Sequence, residues 1–99
     1  MKEDLLKIIN HYGVNHQQRK FQEEVFELQE AITTHSVEMF ECVPSTKYIV
    51  EEIADVLVML NQFVEYYGKY YGIQTSDIYM IMEQKIDRQL ERIKGESNE

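Results

Sequence analysis

Ninety-nine residues are the length of one domain, enough to bury a modest core. A formal net charge of −8, with 43% apolar and 28% charged residues, argues against a nucleic-acid polymer or an anionic membrane as main partner, since both are bound through basic patches. The single cysteine, Cys42, excludes an internal disulfide framework and a cysteine zinc site, and it fits a reducing compartment.

In chain order, residues 2–12 read as a short N-terminal helix with Leu5, Ile8 and Ile9 on its apolar side and Gly13 as its stop. Met1 to Ile9 are too polar for a secretory leader, and no apolar run approaches the roughly 20 residues that span a bilayer, so the expected location is the cytoplasm. His11 and His16, near the turn, read as surface or capping residues, with nucleobase contact as the alternative. Asn15 is a plausible N-cap for a second helix running to about Thr34. The stretch Val37 to Val43 is too short and mixed to assign, and Pro44 closes it. Ser45 or Thr46 then caps a third helix reaching about Tyr70, with Gly68 and Gly72 at its end. It is the most apolar segment and is expected to be the most buried. Tyr66, Tyr67, Tyr70 and Tyr71 read as packing residues, with stacking on a base as the sharper alternative. Thr75 or Ser76 caps a fourth helix, whose stripe is Tyr79, Met82, Ile86, Leu90 and Ile93, and Gly95 to Glu99 reads as a polar tail. Strand signals are absent. The expectation is an all-α fold, a single four-helix, bundle-like domain over residues 1–99. One chain covers so apolar a third helix poorly, which points to completion by oligomerisation.

Two of these helices share a design. Glu23-Glu24-Val25-Phe26-Glu27-Leu28 and Glu51-Glu52-Ile53-Ala54-Asp55-Val56 both read acid, acid, apolar, any, acid, apolar, and the second begins 28 residues after the first. At about 100° per residue, Phe21, Val25, Leu28 and Ile32 form one apolar stripe, and Ile49, Ile53, Val56 and Leu60 form the other. On the same side of each stripe, Glu24 and Glu27, and Glu52 and Asp55, stand at about 60° and about 120°. Antiparallel packing makes the two pairs either face each other or both face away. Four converging carboxylates need a counter-charge, and Mg²⁺, with its oxygen ligands and retained waters, supplies one. The competing reading is a solvated acidic face, because Glu27/Glu30 and Glu38/Glu41 repeat the spacing elsewhere.

The residues Glu23-Glu24-x-x-Glu27, 24 intervening residues and Glu52-x-x-Asp55 resemble the signature of the all-α nucleoside triphosphate pyrophosphohydrolases of the MazG type. Gln17-x-x-Lys20-Phe21 before the first pair and Ala54-Asp55-Val56-Leu57 around the second are similar too, and the likeness spans roughly residues 12–94. It implies Mg²⁺-dependent hydrolysis of a nucleoside triphosphate to monophosphate and pyrophosphate, with Mn²⁺ able to substitute, in the house-cleaning of nucleotide pools. Glu24, Glu27, Glu52 and Asp55 would hold the metal and act in catalysis, with Glu23 or Glu51 taking the proton or sitting behind the ligands. Lys20 lies one turn before Glu24 and could reach a phosphate. The family's basic pair on the last helix corresponds to Lys85 and a position that is Gln89 here, which leaves the arginine role to Arg88 or Arg92. Asn61 and Gln62, two turns beyond the second pair, could hydrogen-bond a base. The resemblance also implies a homodimer or homotetramer with sites near subunit interfaces. Related families accept deoxynucleotides, damaged nucleotides or phosphoribosyl-ATP, and no residue here selects among them.

Two other classes compete. A non-catalytic acidic helical module that binds a protein partner fits the charge and the amphipathic helices. A di-iron bundle fits poorly, because such sites use Glu-x-x-His pairs and no acidic residue here has a histidine three positions later.

Overall fold

The computed structural model describes residues 1–37 and 46–97. The described residues form four α-helices: α1 (Lys2–Tyr12), α2 (Val14–Val37), α3 (Thr46–Tyr71) and α4 (Thr75–Ser97). Among them there is no strand, and the fold is all-α, as the periodicity predicts. Glu38 to Ser45, which include Pro44, one candidate cap and all of the unassigned stretch but Val37, lie outside the described residues. Chain contacts separate two compact units, Met1–Tyr66 and Tyr67–Glu99.

In the first unit, α1 packs on α2. Leu5 and Ile9, one turn apart, are the buried residues of α1, and Asp4 and Glu3 in the first turn complement the helix dipole. Gly13 joins the two helices by itself. Its N–H donates to the Ile9 carbonyl at 2.8 Å, and its own carbonyl accepts from the Gln17 N–H at 3.0 Å. A φ of 92° with ψ of 151° allows both bonds, and only glycine reaches that backbone without strain. The cap of α2 is therefore the Gly13 carbonyl rather than Asn15, which lies inside the helix. The helix also runs three residues past Thr34, to Val37.

α2 and the first part of α3 are antiparallel and in contact. Gln17 reaches Gln62, and Phe21 meets Phe63 with ring centroids 5.8 Å apart, edge to face. Further along α2, Glu24 meets Glu52 and Asp55, which come earlier in α3. The contact face differs from the one expected. Gln17, Glu24 and Ala31 are the buried positions of α2; Glu52, Met59 and Gln62 are those of α3. They fall to the acidic side of the two apolar stripes, by about 40–80° on α2 and about 60–140° on α3. Phe21, Val25, Leu28, Ile49 and Val56 are only half-buried, while Ile32, Ile53 and Leu60 are exposed. The third helix is the most apolar, yet much of its apolar surface is open, with Val50, Leu57 and Val58 also exposed. Periodicity locates an apolar stripe; it does not say which neighbour covers it.

The second unit holds the end of α3, a glycine turn and α4. Gly68 stays within α3, which ends at Tyr71. Gly72 then takes a φ of 74°, and the Ile73 N–H donates to the Tyr67 carbonyl at 3.3 Å. Tyr67 and Tyr71 pack ring to ring at 5.3 Å, and the Lys69 ammonium lies 5.7 Å from the Tyr70 ring centre. α4 opens with Asp77 in its first turn, its N–H bonded to the Gln74 carbonyl at 3.0 Å. The expected stripe Tyr79, Met82, Ile86, Leu90 and Ile93 is exposed throughout. The helix continues through Gly95 to Ser97, so most of the expected polar tail is helical.

Candidate metal centre

The centre lies within the first unit, on the facing flanks of α2 and α3. Glu24, Glu52 and Asp55 each offer a carboxylate oxygen, and these three atoms lie within 4.8 Å of one another. Helical spacing explains the arrangement. Glu52 and Asp55, three residues apart, are neighbours on α3, and the antiparallel crossing sets Glu24 opposite them. Glu24 is 8% exposed and Glu52 9%, burial that acidic side chains rarely accept without a partner.

Lys20 partly satisfies Glu24. Lys20 Nζ lies 3.2 Å from Glu24 Oε1 and 3.7 Å from Glu23 Oε2. The hydrogen bond to Glu24, then the charge of Glu24, holds the Lys20 ammonium above its ordinary pKa. Glu24 Oε2 and Glu52 Oε2 are both buried with no hydrogen-bond partner among the described residues. Burial pushes the Glu52 carboxyl above the ordinary glutamate range, and Asp55, Glu24 and Glu51 add to the shift by charge repulsion. Glu27 is also raised, first by the charge of Glu24, then by partial burial, a hydrogen bond with Glu24 and the charge of Glu52. The group is under electrostatic strain of a kind that a cation relieves.

The donor set is all carboxylate oxygen, with two lone-pair-bearing atoms buried and unpaired. That chemistry fits a hard divalent cation such as Mg²⁺ or Mn²⁺ and gives nothing to a soft one. The structure brings together three of the four predicted ligands. Glu27 stays outside the three-way cluster, exposed on α2 but electrostatically joined to it. Glu23 and Glu51 are exposed beside the buried pair. Asn61 is exposed on α3. Lys85, Arg88 and Arg92 are exposed on α4, in the second unit.

Gln62, expected as a candidate base contact, is turned inward. It is 1% exposed, accepts from Gln17 Nε2 at 2.9 Å and donates to Met59 Sδ at 3.6 Å. A local signal for the pairing exists: Gln17 lies seven residues before Glu24 and Gln62 seven after Asp55, a spacing that repeats a helix face. His16, expected as a surface or capping residue, and Arg19, which carried no expectation, line with Lys20 and Glu23 a small groove of about 130 Å³. A wider groove of about 650 Å³ runs along Phe26, Gln29, Glu30, Ala31, Thr33, Thr34 and Tyr48, and none of the clustered acids lines it.

Compared with protein-family models, with curated proteins and with solved structures, the chain matches none.

Proposed function

We propose that the protein is a divalent-cation-dependent nucleoside triphosphate pyrophosphohydrolase of the MazG-like kind, cleaving a nucleoside triphosphate to monophosphate and pyrophosphate in the cytoplasm. The observation that supports this best is the convergence of Glu24, Glu52 and Asp55 with two buried carboxylate oxygens left unpaired. A purely structural acidic face would turn those oxygens to water, as the exposed acids of α4 do. The likeness of the two acidic motifs to the family signature supports the same reading.

In this reading Glu24, Glu52 and Asp55 hold Mg²⁺, and Glu27 completes or backs the set. When bound, the cation supplies charge neutralisation at the phosphate oxygens and a lowered pKa for a bound water. Glu23 or Glu51, exposed next to the buried ligands, takes the proton of the attacking water. Lys20 exchanges part of its contact with Glu24 for a phosphate oxygen, aided by the neighbouring Arg19. The resemblance assigns Lys85, with Arg88 or Arg92, to the polyphosphate, and Asn61 lends a polar contact to the base. The active form is a homodimer or homotetramer, supported by the exposed apolar side chains Val50, Ile53, Leu57 and Leu60 on α3.

The deciding experiment is product analysis. With Mg²⁺ and a panel of nucleoside triphosphates, pyrophosphate should appear in equal amount with monophosphate, and Glu52→Gln should abolish it. Release of inorganic phosphate instead, or no turnover on any member, would sink the assignment. A second reading, a non-catalytic acidic module binding a protein, draws on the exposed stripe of α4. It requires that Glu52→Gln leave both partner binding and metal content untouched.

A further inference from the structure

The α2–α3 seam contains a conflict. Its acidic layer pushes the helices apart or toward a slipped register that would return Glu24 and Glu52 to water. The neighbouring apolar contacts offer little resistance. Ala31 is small, Met59 is flexible, and the Phe21–Phe63 pair is only half-buried. Some other contact must reward the register that keeps the acids together.

We propose that the buried amide pair Gln17–Gln62 is a register clip that positions the carboxylates, a role that rests on the metal-centre reading above. Gln17 is 4% exposed and Gln62 1%, and Gln17 Nε2 donates to Gln62 Oε1 at 2.9 Å. The pair is tied further into the seam: Met59 Sδ accepts from Gln17 at 4.0 Å and from Gln62 at 3.6 Å, and His16 Nδ1 lies 2.8 Å from Gln17 Oε1. The bonds from Gln17 to Gln62 and Met59 cross the seam and exist only in this alignment, and a slip would leave the buried Gln17 Nε2 and Gln62 Oε1 without them.

The spacing couples this pair to the acids. Gln17 precedes Glu24 by seven residues on α2, and Gln62 follows Asp55 by seven on α3. Seven residues are nearly two whole turns, so each glutamine shares a face with its acid. In an antiparallel pair, the alignment that joins the two glutamines also joins the two acids. Any shift or rotation that separates one layer separates the other. A single buried polar pair specifies register in the same way at the seam of a coiled coil, at some expense in stability. Gln17 and Gln62 are positioning residues, acting on the cation only through Glu24, Glu52 and Asp55.

The test replaces the clip with an apolar pair of similar length. Gln17→Met/Gln62→Met should retain helical content and melt no lower than the natural protein, since a satisfied polar pair and a packed apolar pair are close in stability. Either single variant should melt lower than the double one, because it strands the remaining amide. Two readouts then go beyond stability. Contacts between the Phe21 and Phe63 rings, read by nuclear Overhauser effects, should weaken or split into several sets in the double variant. Its Mn²⁺ affinity, titrated without nucleotide, should fall by about tenfold or more, as it does when supports behind metal ligands are lost. A double variant that keeps one set of ring contacts and unchanged Mn²⁺ affinity overturns the proposal. So does a loss of ring contacts without loss of affinity, or the reverse. If the natural protein binds no Mn²⁺ at all, the metal reading falls separately, and the ring contacts alone decide the clip.

Discussion

Glu52 concentrates the site's electrostatics in one side chain. Its carboxyl is held above the ordinary glutamate range, first by burial and then by Asp55, Glu24 and Glu51. The folded chain therefore binds this proton more tightly than the unfolded one. Its contribution to stability is complete below the unfolded pKa and is lost as pH rises through the raised folded value. Glu27 is shifted in the same direction. Metal-free protein should thus lose melting temperature in this region as pH climbs toward neutrality, and Glu52→Gln should flatten that slope. A metal-free protein whose Glu52→Gln variant follows the same pH curve would show that the strain is absent. Mg²⁺ should restore the loss; at a hundredfold excess over Kd, a ligand specific for the folded state adds about 2.7 kcal/mol. At Glu27, exchange for glutamine keeps shape and helix propensity while removing charge. Turnover should drop by about 10- to 100-fold. Glu30→Gln, one turn on and exposed, is the matched control and should behave as the natural protein. Equal pyrophosphate release from both variants would mark Glu27 as an ordinary solvated acid.

Among the elements, the junction of α1 and α2 has least room for change. Gly13 sits at φ 92° and ψ 151°, a backbone region that side chains avoid, although a methyl group there would meet nothing within 4 Å. The expected effect of Gly13→Ala is therefore backbone strain alone, about 1–3 kcal/mol of lost stability, readable by denaturant titration. An unchanged midpoint would mean that α1 and α2 can be joined by a different turn. Because the Gly13 carbonyl is the first acceptor of α2, a backbone shift at this position should fray the turn containing Gln17 before it reaches Glu24. Amide exchange along α2 would show that order.

For the whole molecule, much of the exposed surface is apolar. Ile53, Leu57, Leu60 and Val50 are 42–62% exposed on α3, and Ile86, Leu90 and Ile93 are 53–55% exposed on α4. So much open aliphatic surface is rare on a lone soluble chain of this size. Self-association should cover it, so the melting temperature should rise with protein concentration. Leu57→Lys/Leu60→Lys should yield a smaller species by sedimentation, with a melting temperature independent of concentration. Natural protein that sediments as a monomer at high concentration would remove the case for an oligomer.

The helical class, four elements and the two matched acidic flanks are legible in the residues because amphipathic period and caps are local properties. Gly13 and Gly72 mark their turns for the same reason: one backbone conformation decides each. The sequence also places Glu24, Glu52 and Asp55 on corresponding sides of two helices. It leaves open whether those sides face each other, since antiparallel packing permits either arrangement. Tertiary structure decides that, turning the acidic flank rather than the apolar stripe into the α2–α3 seam. It also reveals why Gln17 and Gln62 are polar, which no local pattern explains: their partners lie 45 residues apart in the chain. Local periodicity fixes what each helix can present, while the rotation and register of one helix on another depend on contacts distant in sequence.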